Sequence, residues 1–488
     1  MSTVLSASFY LLHLLFVLSL GYYLISAMQW YSYRLNRVIF HYNKPSWHLL
    51  LFILPVVLYY VLVSVEKSGY LAALLSVVYP LALFFWRKKL DKPLKFTHRI
   101  KRFFIFLFLV TVLSEVLYFA LYAKSGGGVL IPLILALVFS ETYEKILFAG
   151  FKKDARNKLN SIPSLRIVAI TASYGKTSIK NFLHHILSAK FDCYKTPRSV
   201  NTIAGIVMDI NTLLPTNTEI YIAEAGARER GDIKEIADFL KPDVVIVGQI
   251  GAQHIEYFKS LENIRNTKME LITSQNLKKA FVHTSANANP NGDERIALFG
   301  DEITFIDATL EGTRFGLNIE GEEVVFETKL LGAFNAVNLA VCVHTALYLG
   351  LDVQSVKNAI ASLQSVEHRL QRMDVGGKII LDDSFNGNFE GMQSSYELAK
   401  TYNGRRVLIT PGIVESTKEE NEKLAQIADT IFDIIIITGS TNAQVWSESV
   451  KRVQKIILKD KSLLTQTLAR VTRAGDLILF SNDAPTYM

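Results

Sequence analysis

Apolar residues are spread very unevenly along this chain. Across the first 150 positions they form five long blocks, at about 8–30, 47–64, 69–86, 103–123 and 128–143, separated by short polar joints. Beyond residue 160 the pattern changes to short β-type runs, "LRIVAI", "IYIAEAGA", "DVVIVGQI" and "KAFVHTS", alternating with helical stretches. After residue 365 the alternation resumes with "KIILDDSF", "RVLITPG", "DIIIITGS" and "DLILFSND". Alternation of this kind builds mainly parallel sheets. The expected plan is an α-helical transmembrane block at 1–145, an amphipathic basic linker at 146–160, and two α/β domains. The first, at 161–365, holds a mainly parallel sheet with a β-rich insert at about 297–330; the second, at 366–488, is smaller and Rossmann-like.

Composition sharpens this picture. Half of the 488 residues are hydrophobic, and the mean hydropathy of +0.24 owes its excess to the first 150 positions. The net charge of +7 sits largely beside the apolar blocks, so a membrane topology explains it better than nucleic-acid binding does. Cys193 and Cys342 are the only cysteines; two distant thiols exclude a four-cysteine zinc site and fit a reducing compartment.

One short stretch carries chemistry. "TASYGKTSIK", residues 171–180, follows an apolar strand and opens a helix. A phosphate-binding loop is built this way: backbone N–H groups wrap phosphates, the lysine reaches the outer ones and the next hydroxyl holds Mg²⁺. Ser173, Tyr174, Gly175, Lys176, Thr177 and Ser178 take those positions, and a nucleotide is the expected ligand. Two further strands deliver Glu224 ("YIAEAGARERGDI") and His254 ("VGQIGAQHIEYF") to strand ends, where parallel sheets bind ligands. Both are plausible Mg²⁺ ligands, and "NIRNTKMELI" adds Lys268 on a helix. Taken singly, each has a plainer reading: Glu224 a salt-bridged loop acid, His254 a packing histidine, Lys268 a solvated lysine.

In their order and rough spacing these motifs resemble the Mur ligase family over about residues 160–488. The resemblance implies that Thr177, Glu224 and His254 bind Mg²⁺ and that Lys268 carries a carbamate serving a second Mg²⁺. "RSVNTIAGI" is similar to the family's substrate-side segment, giving Asn201 and Thr202. "LLGAFNAVNLA" resembles the adenine-contacting motif, with Asn335 and Asn338 in place and Phe334 where a histidine is usual. "VEHRLQ" supplies Arg369 for the nucleotide phosphates. "LDDSFNGNFEGM" resembles the signature of the MurF type, the D-alanyl-D-alanine-adding ligases, with Asp383 on the nucleotide and Asn386 and Asn388 shaping a substrate loop. The implied cofactors are ATP and Mg²⁺, and the implied substrates UDP-MurNAc-tripeptide, or a lipid-linked equivalent, and D-Ala-D-Ala. The implied chemistry is an acyl phosphate made from the tripeptide carboxylate, with Lys176, Lys268, His254 and Arg369 in the catalytic centre.

This sequence departs from the family's pattern in places. Ala172 stands where the loop usually has its first glycine. "LITPGIVEST" replaces the loop that would meet the incoming dipeptide. The usual UDP-gripping N-terminal domain gives way to the membrane block. A ligase for another wall-polymer acceptor and a non-catalytic scaffold for wall-synthesis enzymes remain as alternatives.

Charges set the expected topology. The joint "RKKLDKPLKFTHRIKR" carries eight Lys/Arg against one Asp, and the joint after the first block holds Arg34, Arg37 and Lys44, whereas "EKSGY" and "AKSGGG" are nearly bare. Basic joints stay cytoplasmic. Five crossings then return the phosphate loop to the cytoplasm, although the fifth block is short and contains Pro132. Glu115, inside the fourth block, needs a partner there, either as a proton or headgroup contact or as a buried bond between helices.

Overall fold

The computed structural model describes residues 3–31, 33, 35–40, 45–65, 69–90, 93–122, 128–252, 255–289, 292–385, 387–414 and 416–482. Arg34, Lys44, His254 and Asn386 lie outside the described residues. The chain divides into two compact units, Met1–Gly150 and Phe151–Met488.

Among the described residues, the regular structure of the first unit is all helical. Its main helices are α1 (Thr3–Trp30), α2 (Leu54–Ser64), α3 (Gly69–Lys88), α4 (His98–Tyr122) and α5 (Leu130–Ser161). Helix α2 is extended backwards by a π turn at Leu49–Ile53 and a short helix at Pro45–His48. Among the described residues four helical stretches are long and apolar enough to cross a membrane: Ser8–Trp30, Ser46–Ser64, Tyr70–Lys88 and His98–Leu121. The first is mostly buried and the others mostly exposed, so α1 forms the core of this unit, with Phe16, Val17 and Leu20 sealed inside. Leu, Val and Phe side chains on α2, α3 and α4 face outward. An apolar surface of that extent is suited to lipid rather than water.

The fifth apolar block is shorter than the other four. It is the start of α5, a 32-residue helix that becomes charged at Glu141, Glu144 and Lys145. Its apolar stretch, Leu130–Ser140, rises only about 16 Å, less than a ~30 Å hydrocarbon core. Two polar ties hold it. The Val129 and Leu130 N–H groups donate to the Tyr60 hydroxyl at 3.1 and 3.4 Å, and Arg102 of α4 pairs with Glu144 at 2.6 Å.

The second unit contains the two α/β layers. Its central sheet has the order β2-β3-β1-β4-β5-β6, all parallel. The strands are β1 (Arg166–Thr171), β2 (Cys193–Lys195), β3 (Ile220–Glu224), β4 (Val244–Val247), β5 (Lys279–His283) and β6 (Ile296–Phe299). Ile170 lies beside Glu224, and Thr171 beside Val247, so the loops leaving β1, β3 and β4 emerge together. The helices Lys176–Leu187 and Ala333–Tyr348 pack on this sheet through Phe182, Leu183, Ile186, Leu339 and Val343. Burying each such side chain contributes about 1.5–3 kcal/mol, which fixes the phosphate loop to a rigid base.

The insert is the antiparallel sheet β7 (Ile303–Ala308), β8 (Thr313–Ile319) and β9 (Glu322–Thr328). It begins later than the sequence suggested, because "IALF" joins the central sheet as β6. The last sheet has the order β10-β11-β15-β12-β13-β14. Its strands are β10 (Gln371–Val375), β11 (Lys378–Asp383), β12 (Arg406–Thr410), β13 (Ile434–Thr438), β14 (Gln454–Leu458) and β15 (Leu477–Ser481). It is parallel except for β10, which forms a hairpin with β11 through Gly376 and Gly377, both at positive φ.

Candidate active site

The loop after β1 turns sharply at Gly175, whose φ of +79° suits only a residue without a side chain. A Cβ there would stand 2.4 Å from Asn338 Oδ1, so the Ala333–Tyr348 helix lies directly against the loop. The loop is anchored to the segment after β4: Ser173 N–H donates to Gln249 O at 2.8 Å, and its hydroxyl donates to Gly251 O at 3.0 Å. The Tyr174 ring lies over Gly251, where a Cβ would fall 2.3 Å from it.

Ala172 fits for a local reason. It is fully buried and faces Gly248, where a Cβ would approach its methyl to 2.9 Å. The glycine missing from the loop is matched by one on the neighbouring strand end.

Lys176 Nζ donates to Ala172 O at 2.6 Å and to Ser173 O at 3.0 Å. Burial pulls its pKa down to about 8, with Arg369 adding to the fall and Glu224 opposing it. Lys268, in the last turn of the Leu261–Met269 helix, is buried. Burial, then repulsion from Lys176, holds its pKa well below the usual lysine range, against the pull of Asp232 and Glu224. Lys268 is therefore no solvated surface lysine.

Glu224 ends β3 almost fully buried and gathers three donors. Thr177 Oγ1 donates to its Oε2 at 3.0 Å, Lys180 Nζ to the same oxygen at 3.1 Å, and Asn201 Nδ2 to Oε1 at 3.1 Å. Lys180, which also donates to Arg198 O, was missed in the sequence. It lies one helical turn beyond Lys176, and only its burial distinguishes it from a solvated lysine. Thr202 caps the Ile203–Thr212 helix by accepting from Gly205 N–H at 3.3 Å. Ser178 is buried in the first turn of the loop's helix.

Asn335 Nδ2 donates to Leu331 O at 2.8 Å, while its buried Oδ1 has no hydrogen-bond partner. Phe334 packs into the apolar core of the last domain. Arg369 sits between His368 and Leu370, both in left-handed backbone at φ +62° and +51°, a strained setting. Its guanidinium covers the Phe385 ring at 4.5 Å. Burial lowers its pKa, with Asp383 and Glu224 opposing.

The adjacent acids divide their work. Asp382 is fully buried and structural: its Oδ2 meets His368 Nδ1 at 2.7 Å and its Oδ1 accepts from Ser384 N–H at 3.2 Å. Asp383 is pushed up to about 6, by burial first, against the pull of Arg369. Asn388 caps the Phe389–Lys400 helix by accepting from Gly391 N–H at 2.9 Å.

Among the described residues no three His, Cys, Asp or Glu side chains could hold a metal unaided. Thr177 and Glu224 nonetheless suit Mg²⁺, which binds through one or two protein oxygens plus substrate phosphates and water. A left-handed glycine cradle, a lysine resting on the loop's own carbonyls and an orphaned Asn335 oxygen fit an adenine nucleotide.

Residues 170–346 match the Mur ligase middle domain. That segment of the chain carries the Mur ligase middle domain. Mur ligases use ATP and Mg²⁺ and form amide bonds. Among the relatives, the UDP-N-acetylmuramoyl-tripeptide–D-alanyl-D-alanine ligase of Bacillus subtilis is 24% identical over 340 residues, 64% of this chain and 72% of its own. That of Borreliella burgdorferi is 30% identical over 237 residues, 46% and 50% of the two chains. Among solved structures, MurF from Acinetobacter baumannii superposes with a TM-score of 0.62 at 21% identity, covering 68% of this chain and 77% of that chain. MurF from Thermotoga maritima in complex with ADP gives 0.60 at 24% identity, covering 69% and 80%.

Proposed function

We propose that this chain joins D-Ala-D-Ala to the free carboxylate of UDP-MurNAc-tripeptide, or of a lipid-linked equivalent, at the expense of ATP. The observation that carries this reading is the convergence of Thr177, Lys180 and Asn201 on Glu224, with Lys176 and Arg369 in electrostatic reach of it and Asp383 in reach of Arg369. A carboxylate oxygen would attack the γ-phosphorus and release ADP. The dipeptide amine would then attack the acyl carbon, and phosphate would leave with that oxygen.

Each residue has a part in this scheme. Backbone N–H groups from Tyr174 to Ser178 would hold the phosphates, and Lys176 would leave the loop carbonyls to neutralise the outer ones. Asn335 Oδ1 accepts from the adenine amine, and Asn338 supports the loop. Arg369 and Asp383 close on the nucleotide from the second domain and exclude water. Thr177 and Glu224, together with His254, would hold Mg²⁺, which supplies positive charge to the transferring phosphoryl group. Lys268 is suited to carbamylation, because only a neutral amine attacks CO₂ and its surroundings favour the neutral form. Asn201, Thr202, Asn386 and Asn388 would serve the amino-acid substrates. The packing of Ala172 on Gly248 gives that substitution a structural reason, which removes the one feature that favoured a scaffold.

The placement we infer is the inner membrane, with the catalytic unit in the cytoplasm and room for other wall-synthesis enzymes nearby. The Arg102–Glu144 pair supports a return crossing by the start of α5: Arg102 is the last residue of the basic joint, so Glu144 has come back to that level. The test of the chemistry is isotopic. Tripeptide labelled with ¹⁸O in its carboxylate should yield one labelled phosphate per ligation. Unlabelled phosphate would exclude the acyl phosphate. Labelling only with the lipid-linked tripeptide would move the substrate into the membrane.

A further inference from the structure

A groove of about 370 Å³ lies within the first unit, between α1, α3 and the start of α4. Its walls include Pro80, Phe84, Phe96 and Phe104, with the last two rings stacked at 6.0 Å. Two polar features interrupt this apolar lining. Arg87, at the end of α3, lines the groove exposed, and among the described residues no carboxylate pairs with it. The Tyr22 hydroxyl, also in the lining, is buried without a hydrogen-bond partner. The neighbouring Lys88, by contrast, is engaged over the Phe84 ring at 4.7 Å.

An apolar slot with an unpaired guanidinium and an orphaned hydroxyl has the chemistry of a chain attached to a phosphate. Arginine's planar fork matches phosphate oxygens, while a purely lipid-filling crevice needs no cation. The groove lies beside the most basic joint of the chain, on the side that joint assigns to the cytoplasm. We propose that it is a binding site for an anionic phospholipid of the inner leaflet. One chain lies along Pro80, Phe84, Phe96 and Phe104, and the phosphate rests on Arg87 with a hydrogen bond from Tyr22.

Trp86, adjacent to Arg87, provides the probe; its ring lies 5.9 Å from Trp30 and 5.7 Å from Trp47. The full chain is reconstituted in phosphatidylcholine vesicles and titrated with phosphatidylglycerol or phosphatidylcholine brominated on the chain. The site predicts tryptophan quenching by the anionic lipid at about a tenth of the concentration the zwitterionic lipid needs. Arg87→Gln should bring the two lipids level, Tyr22→Phe should narrow the gap, and Lys88→Gln should leave it intact. Soluble glycerol phosphate should not compete, because it lacks the chain. Equal quenching by both lipids in the native protein would overturn the site. So would a Lys88→Gln loss equal to that of Arg87→Gln, which would mean a diffuse basic surface. Thermal melting of each variant in detergent identifies any that has lost its fold; the Tyr22→Phe and Lys88→Gln comparison then carries the test.

Discussion

Nucleotide binding should draw a proton onto Lys176, and the amount follows from its surroundings. In the free protein burial holds its pKa at about 8, so at pH 8.5 only about a quarter of the molecules carry the charge. A triphosphate against Nζ restores the ammonium, so ATP binding at pH 8.5 takes up about 0.75 proton, falling to about 0.1 at pH 7. Isothermal titration calorimetry in two buffers of different ionisation enthalpy measures that uptake. Lys176→Arg keeps the positive charge and cannot titrate here, so its uptake should be smaller than the native value by that amount. The same shift bears on stability. Between about 8 and 10.5 the unfolded chain binds more protons than the free folded protein, so stability rises with pH across that window and the gain is lost as pH falls through 8. Proton uptake that does not grow from pH 7 to 8.5, or that persists in Lys176→Arg, would refute the reasoning.

Lys180→Met should lower unfolding stability by about 3–5 kcal/mol, the usual cost of removing one partner from a buried ion pair. Adding Glu224→Gln should recover part of it in a denaturant double-mutant cycle, and additive losses would contradict the pairing. Gly248→Ala should cost about 1–3 kcal/mol by overpacking against Ala172, and Ala172→Gly in the same chain should restore most of that stability; an unrelieved double mutant would deny the contact. In the first unit, His13 Nε2 lies 2.9 Å from Glu115 and its Nδ1 2.5 Å from the Tyr59 hydroxyl. Glu115→Ala should therefore cost about 1–3 kcal/mol by stranding a buried polar group, Glu115→Gln less, as melting in detergent would report.

The phosphate loop was legible because strand, glycine turn and helix are adjacent in sequence, and local order is what sequence reports best. Glu224 was legible for a similar reason, as an acid at the end of an apolar strand. Lys180 was not: its burial depends on Arg198 and Glu224, which lie 18 and 44 residues away. Asp383 was singled out only through the family signature; in the fold, strand pleat separates it from Asp382 by turning the latter towards His368. Strand β6 was assigned to the insert because four apolar residues do not reveal their partner strand, and β2, β10 and β14 were missed as short, polar edge strands. The fifth apolar block reads as a crossing, but neither the length of α5 nor the pairing of Glu144 with Arg102 is visible in a hydropathy pattern. Glu115 signalled a need for a partner, but nothing in the sequence identified His13, 102 residues earlier.

The central claim is a ligation powered by ATP at the site around Glu224. Its most direct measurement is ADP release by the detergent-purified full chain, given ATP, Mg²⁺, UDP-MurNAc-tripeptide and D-Ala-D-Ala. The account predicts release that requires both acceptor and dipeptide and disappears in Lys176→Ala. Release that ignores the dipeptide, or that survives in Lys176→Ala, would contradict it.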